Sequence, residues 1–161
     1  MAHLSIIGTG TMGQAIAGVA ERGGHTVQLL GKDDLDARLG DVVVLAVPYP
    51  ALADVLATRG ASLAGKVVVD ITNPLDFATF DSLTVASDSS ATAEVAAALP
   101  DSRVVKAFNT TFAATLAAGT VGSLPTTVLI AGDDADAKAL LAGIVTSGGL
   151  KAIDAGSLAR A

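Results

Sequence analysis

The chain has no cysteine and no tryptophan, one tyrosine, four phenylalanines and two histidines. Without cysteine there is no disulfide framework to read. Charge is scarce too: 16% of residues are charged, and Lys+Arg 10 against Asp+Glu 16 leaves a net charge of −6. An acidic chain with scattered basic residues does not read as a nucleic-acid binder. Low polarity excludes disorder. Long unbroken apolar runs are also missing. The stretch from Ala107 to Gly132 carries no charge and could span a bilayer by length. Asn109, six threonines, three glycines and Pro125 break it into short pieces, so no membrane helix is expected. Met1-Ala2-His3 has no basic region and Leu4–Ile7 is too short for a signal core, so the expected location is the cytoplasm.

What is present is aliphatic. The 161 residues are 51% hydrophobic with a mean hydropathy of +0.59, and they include 17 glycines. This is about one domain's length, enough to bury a core without staples. Residues 1–161 read as a single domain, with no room for a separate substrate domain. Bulk from Ala, Val and Leu suits thin, closely packed layers.

Short β-rich runs recur at Leu4–Ile7, Thr26–Leu30, Val42–Val47, Val67–Ile71, Val104–Phe108 and Thr127–Ala131. Several are continuously apolar, as strands buried on both faces are. Ala-rich helical segments lie between them at Met12–Arg22, Ala51–Thr58, Ser90–Leu99 and Asp134–Ser147. Gly23-Gly24 and Gly148-Gly149 close the first and last of these. Strand–helix–strand alternation implies parallel pairing through right-handed crossovers. The expected architecture is α/β: a doubly wound parallel sheet in three α/β/α layers. One connection departs from it. Only Gly31 to Asp41 joins the second strand to the third, so the second helix can be little more than one turn around Asp34–Leu39.

The first strand runs into Gly8-Thr9-Gly10-Thr11-Met12-Gly13, and each glycine has a physical task in a dinucleotide site. Gly8 permits the tight turn, Gly10 lets the backbone approach a pyrophosphate, and Gly13 lets helix and strand pack closely. The free N–H groups and dipole of the following helix then face the diphosphate. A Gly-rich turn without ligand is the alternative. Which dinucleotide is bound depends on the end of the second strand. An NAD site places a carboxylate there, an NADP site a basic or small polar residue. Gly31 and Lys32 stand at that point, and Lys32 is the natural partner of a 2′-phosphate, which favours NADP over NAD. Asp33 and Asp34 pull the other way by charge repulsion, and Lys32 as an ordinary exposed lysine is the competing reading.

Two further loops sit where ligands of open α/β sheets bind. The third strand ends in Ala46-Val47-Pro48-Tyr49-Pro50, a rigid edge able to lie against a nicotinamide ribose, with Tyr49 either shielding a ligand or simply at the surface. The fourth ends in Asp70-Ile71-Thr72-Asn73-Pro74-Leu75. Asp70 needs partners if buried, and a capping or backbone-bonding role suits it better than catalysis. Asn109, at the end of the fifth strand, can donate and accept at once: it holds a polar ring edge or serves as a turn asparagine. His3 and His25 lie near strand starts, away from these loops, and read as structural or surface residues.

In this order, Gly8–Gly13, Ala46-Val47-Pro48-Tyr49, Asp70–Leu75, Lys106-Ala107-Phe108-Asn109-Thr110 and Asp154-Ala155-Gly156-Ser157-Leu158 make the chain similar to a known family. It resembles the NADP oxidoreductases that act with the deazaflavin coenzyme F420, and equally the NADP-binding domains of flavin-using metalloreductases. The resemblance covers nearly the whole chain. It implies a Rossmann-type dinucleotide-binding fold and hydride transfer between NADP(H) and a small planar acceptor, deazaflavin or flavin. The implied cofactor-binding residues are Thr9, Gly10, Thr11, Met12 and Gly13 at the diphosphate and Gly31-Lys32 at the 2′-phosphate. Ala46, Val47, Pro48, Asn73 and Ala113 line the nicotinamide side, and Asn109 and Tyr49 are the substrate-side candidates. Direct hydride transfer needs orientation and exclusion of water rather than a strong acid or base, which accords with few histidines and no cysteine. The family usually has Ser-Arg where this chain has Lys32-Asp33, and its members continue past the Asp-Ala-Gly segment, so an open acceptor pocket is expected. An uncovered apolar edge leads to the expectation of a homodimer. Two other readings stand beside this one: a non-catalytic NADP(H)-binding or sensor module, and a relative of the imine or β-hydroxyacid reductases without their helical second domain.

Overall fold

The computed structural model describes all residues from Met1 to Ala161. Along the chain come β1 (His3–Ile7), α1 (Thr11–Arg22), β2 (Thr26–Leu30), β3 (Val42–Leu45), α2 (Leu52–Arg59), β4 (Val67–Asp70), α3 (Ala91–Ala98) and β5 (Arg103–Lys106). There follow α4 (Ala113–Ala118), the hairpin β6 (Thr120–Val121) and β7 (Leu124–Pro125), then β8 (Thr127–Gly132), α5 (Ala135–Ser147) and β9 (Lys151–Gly156). Seven strands form one sheet in the order β2-β1-β3-β4-β5-β8-β9.

The strands form where continuous apolar runs can be buried from both sides. Every residue of β3 and β4 is buried. Their side chains alternate: Val42, Val44, Val67 and Val69 enter a core cluster of 21 residues with α1, α4 and α5. Val43, Leu45 and Val68 enter a second cluster of 11 residues with α2 and α3. Each fully buried aliphatic side chain contributes about 1.5–3 kcal/mol by leaving water, so the helical layers hold the sheet from both faces. The positive hydropathy of the chain resides here, and no helix is long and apolar enough to cross a membrane.

The expected three-layer α/β architecture is therefore present, with two corrections. The sheet is not wholly parallel, because β5 and β8 pair antiparallel through Val105–Gly132 and Lys106–Ala131. No full-length crossover helix links them: α4 has six residues and rises only about 9 Å. Strand–helix alternation breaks down at that junction, and with it the inference of parallel pairing. The second correction concerns the β2–β3 connection, where the sequence allowed one helical turn. No helix forms there. The segment makes two loose turns, closed by Asp34 N–H to the Gly31 carbonyl at 3.4 Å and Ala37 N–H to the Asp34 carbonyl at 3.3 Å.

Candidate functional site

Because β1 lies between β2 and β3, the chain leaves β1 toward one side and later returns on the other. A crevice opens at such a switch point, beyond the carboxyl ends of the strands. Here it is a cavity of about 370 Å³, lined by Gly8, Thr9 and Gly10 after β1, Gly31 and Lys32 after β2, and Ala46, Val47 and Pro48 after β3. The far wall is the α2 region, with Ala51, Asp54, Val55, Thr58 and Arg59.

The three glycines behave differently. Gly8 has φ +122°, and a Cβ there would strike the carbonyl oxygen of Ala46. At Gly13, a Cβ would strike the carbonyl oxygen of Gly8, so helix and turn touch backbone to backbone. At Gly10 a Cβ would meet no atom within 4 Å. The first and third glycines close the turn, while the middle one faces open space. The side-chain Nε2 of Gln14 donates to the Thr9 carbonyl at 2.8 Å and holds the turn in place.

The start of α1 has no side-chain cap and no acidic residue in its first turn. Two other helices are completed internally. Ser90 Oγ accepts from Ala93 N–H at 3.1 Å at α3, and Asp134 Oδ1 accepts from Ala137 N–H at 2.7 Å at α5. An uncapped helix start leaves N–H donors and a partial positive charge, and here it stands at the open glycine. This donor set fits a diphosphate. Of the remaining candidates in that turn, Thr11 is exposed, Met12 half-buried and Gly13 buried, and none of the three lines the cavity.

At the end of β2, Lys32 is exposed and Gly31 N–H donates to Asp34 Oδ2 at 2.7 Å. Beneath them lies Arg59, only 5% exposed, with Nη1 donating to the Asp34 carbonyl and Nη2 to the Gly31 carbonyl, each at 3.0 Å. Arg59 escapes sequence reasoning. The available signal is the spacing of Ala51, Val55 and Arg59, four residues apart on one helical face directly after a strand-end loop.

The ends of β4 and β5 form a separate group. Asp70 is fully buried; its Oδ1 accepts from Thr72 N–H at 2.9 Å and its Oδ2 from Thr92 Oγ1 at 2.8 Å. Lys106 Nζ lies 3.5 Å from Asp70 Oδ2 and also donates to the Thr72 carbonyl. Burial pulls the Lys106 ammonium below the usual lysine range, and the Asp70 charge opposes that shift. The backbone-bonding role expected of Asp70 is present. Thr72 Oγ1 is buried without a partner.

Asn73 Nδ2 donates to the Asn109 carbonyl at 3.1 Å, tying the two strand-end loops together. Just before Asn109, Phe108 is buried with φ 65°, a left-handed conformation costing about 1–3 kcal/mol for a non-glycine residue. Ala113 begins α4. Asn73, Asn109 and Ala113 do not line the cavity beside Gly10. Neither does Tyr49, which faces a separate hollow of about 200 Å³ between α2 and α3. Its hydroxyl donates to Glu94 Oε2 at 2.7 Å, and that bond raises its ionisation above the ordinary tyrosine range. His25 is structural: its Nδ1 accepts from Ala2 N–H at 3.0 Å.

Residues 32–74 match the family described as NADP oxidoreductase, coenzyme F420-dependent. The F420-dependent NADP reductase of Methanocaldococcus jannaschii is 30% identical over 145 residues, 87% of this chain and 65% of the relative. The chain thus spans just under two thirds of that curated relative's length. Among solved structures, a hypothetical protein of Sinorhizobium meliloti superposes with a TM-score of 0.84 at 30% identity, over 99% of this chain and 87% of that one. An Arthrobacter protein provisionally named an F420-dependent NADP reductase gives 0.84 at 29% identity, over 98% of this chain and 86% of that one. A solved imine reductase from Bacillus cereus, at 16% identity, shares the fold alone.

Proposed function

We propose that this chain, which is related in sequence and fold to the coenzyme F420-dependent NADP oxidoreductases, binds NADP(H) and promotes hydride transfer between it and a deazaflavin or flavin acceptor. The observation that carries the reading is the unfinished turn between β1 and α1. Its middle glycine faces open space beside a helix start that no side chain caps.

In this reading Thr9 and Gly10, with the first N–H groups of α1, including those of Thr11, Met12 and Gly13, hold the diphosphate. Gly31 and Lys32 meet the 2′-phosphate. Ala46, Val47 and Pro48 present an uncharged edge toward the nicotinamide half, and Asn73 and Ala113 flank it from the neighbouring loops. Asn109, whose carbonyl is held by Asn73, offers its side-chain amide to the edge of the acceptor ring, while Tyr49 stands outside the cavity in the hollow between α2 and α3. When bound, the nicotinamide supplies or receives the hydride. The chain's own residues orient the two rings and exclude water, and no side chain is required to move a proton.

A homodimer belongs to the same reading. Phe112, just before α4, and Val121 and Leu124 on the hairpin are exposed by 79%, 56% and 69%, and exposed apolar side chains of this size suit self-association. Sedimentation of a strictly monomeric species at working concentration contradicts that part.

The test of activity is anaerobic mixing of the protein and NADPH with a deazaflavin, FMN or FAD, followed by acceptor absorbance. Reduction of one acceptor at a rate proportional to protein is the expected result. Tight NADPH binding with no acceptor ever reduced would assign the chain to the non-catalytic binding modules instead.

A further inference from the structure

Arg59 is a buried cation without a counter-ion. The two ion pairs of the molecule are Lys106–Asp70 and Lys138–Asp154, and neither involves Arg59, although that residue is only 5% exposed. A guanidinium is charged at every accessible pH, and arginine is seldom buried without a paired anion. Its bonds to the Gly31 and Asp34 carbonyls, both 3.0 Å, occupy two of its five N–H donors. The same residue lines the cavity beside Lys32.

The surroundings explain why an arginine is needed. With no helix between β2 and β3, the backbone bonds that close the turns after Gly31 are long, 3.3–3.4 Å. That turn also carries Asp33, Asp34 and Asp36, whose charges repel a phosphate dianion. The Asp34 carboxylate already occupies the Gly31 N–H. A second cation beneath the turn both supports its backbone and offsets its acids.

We infer that Arg59 determines specificity for the 2′-phosphate: it braces the Gly31–Asp34 turn and offers its remaining N–H donors, together with Lys32, to that phosphate. The inference rests on the NADP(H) reading given above. A planar guanidinium suits the task because it can bind two carbonyls and an anion at once.

The experiment is a paired titration of wild type, Arg59→Ala and Arg59→Lys with NADPH and NADH, read by nicotinamide fluorescence, with thermal melting to establish folding. The ratio of the two dissociation constants is the readout, because a merely supportive residue moves both alike. Arg59→Ala is expected to weaken NADPH at least tenfold more than NADH, and Arg59→Lys to retain part of the preference. An unchanged ratio in a folded Arg59→Ala overturns the inference while leaving NADP(H) binding intact. If Arg59→Ala does not fold, Arg59→Lys and wild-type competition by 2′,5′-ADP against 5′-AMP decide the matter. Equal competition by the two nucleotides, or an unchanged ratio in Arg59→Lys, overturns it. Wild type binding neither dinucleotide overturns the NADP(H) reading itself, and the inference with it.

Discussion

Two buried cations stand at the carboxyl edge of the same sheet, and their surroundings are opposite. Lys106 sits in a charge-paired network, with Asp70 beside it and the Thr72 N–H and Thr92 hydroxyl bonding the carboxylate, and only the Thr72 hydroxyl there lacks a partner. Arg59 sits in an unfinished one, bonded to two carbonyls and facing a cavity. The same contrast holds between helix starts. Asp134 and Ser90 complete α5 and α3, while α1 is left without a cap. A polar group that is satisfied by the protein serves the fold, because leaving it bare would cost free energy. Where donors are left open beside space, the missing partner belongs to a ligand. The starts of α2 and α4 also carry no side-chain cap, but that of α1 stands at a glycine facing open space, and on the proposed reading the β1–β2–β3 side is the binding half of the edge.

The contrast can be broken at its strongest point first. Asp70→Ala removes the only counter-charge of Lys106 and should destabilise the protein by about 3–5 kcal/mol, measured by urea unfolding. Pairing it with Lys106→Met should recover part of that loss, whereas a cost below about 1 kcal/mol for Asp70→Ala would show the network to be dispensable.

On the binding side, Gly10→Asp places a carboxylate in the open space at α1. NADPH affinity should fall by about 100-fold or more, roughly 2.8 kcal/mol, with the melting temperature nearly unchanged. Unaltered binding would show that the glycine turn holds no diphosphate.

The helix starts provide a smaller test. Asp134→Ala should cost about 1 kcal/mol of stability and leave NADPH binding alone. Thr11→Asp at the uncapped α1 should do the reverse, adding a few tenths of a kcal/mol through the dipole while weakening NADPH.

The smallest effect is expected at the exposed Asp154. Its carboxyl is held below the usual aspartate range by the bond from Lys138 Nζ and by Gly156 N–H. A depressed folded value means that its contribution is present above the unfolded pKa and is lost as pH falls through the folded one. Asp154→Asn should therefore flatten the acid limb of a stability–pH profile slightly, without altering stability near neutrality in any pH-dependent way.

Much of this contrast is readable from residues alone, and the unreadable part has physical reasons. Val42–Leu45 and Val67–Asp70 announce themselves because strands buried on both faces must be continuously apolar. The glycine turn is equally legible, since the steric demands at Gly8 and Gly13 leave no other residue type. β9 hides because an edge strand exposes Lys151, Ile153 and Asp154 and so shows no apolar run. α4 hides because six residues among threonines carry no helical periodicity. Arg59 is invisible for a different reason. Its partners lie 25 and 28 residues away along the chain, and only the tertiary fold makes its missing counter-ion apparent. The link from Asn73 to Asn109 spans 36 residues and is hidden likewise.

The central claim is that the open donors between β1 and β3 are completed by NADP(H). Its most direct measurement is isothermal calorimetry of the wild-type protein with NADPH and, separately, with NADH. Saturable one-to-one binding with a clear preference for NADPH is the predicted result. Absence of heat with both dinucleotides, in a sample shown to be folded, would contradict it.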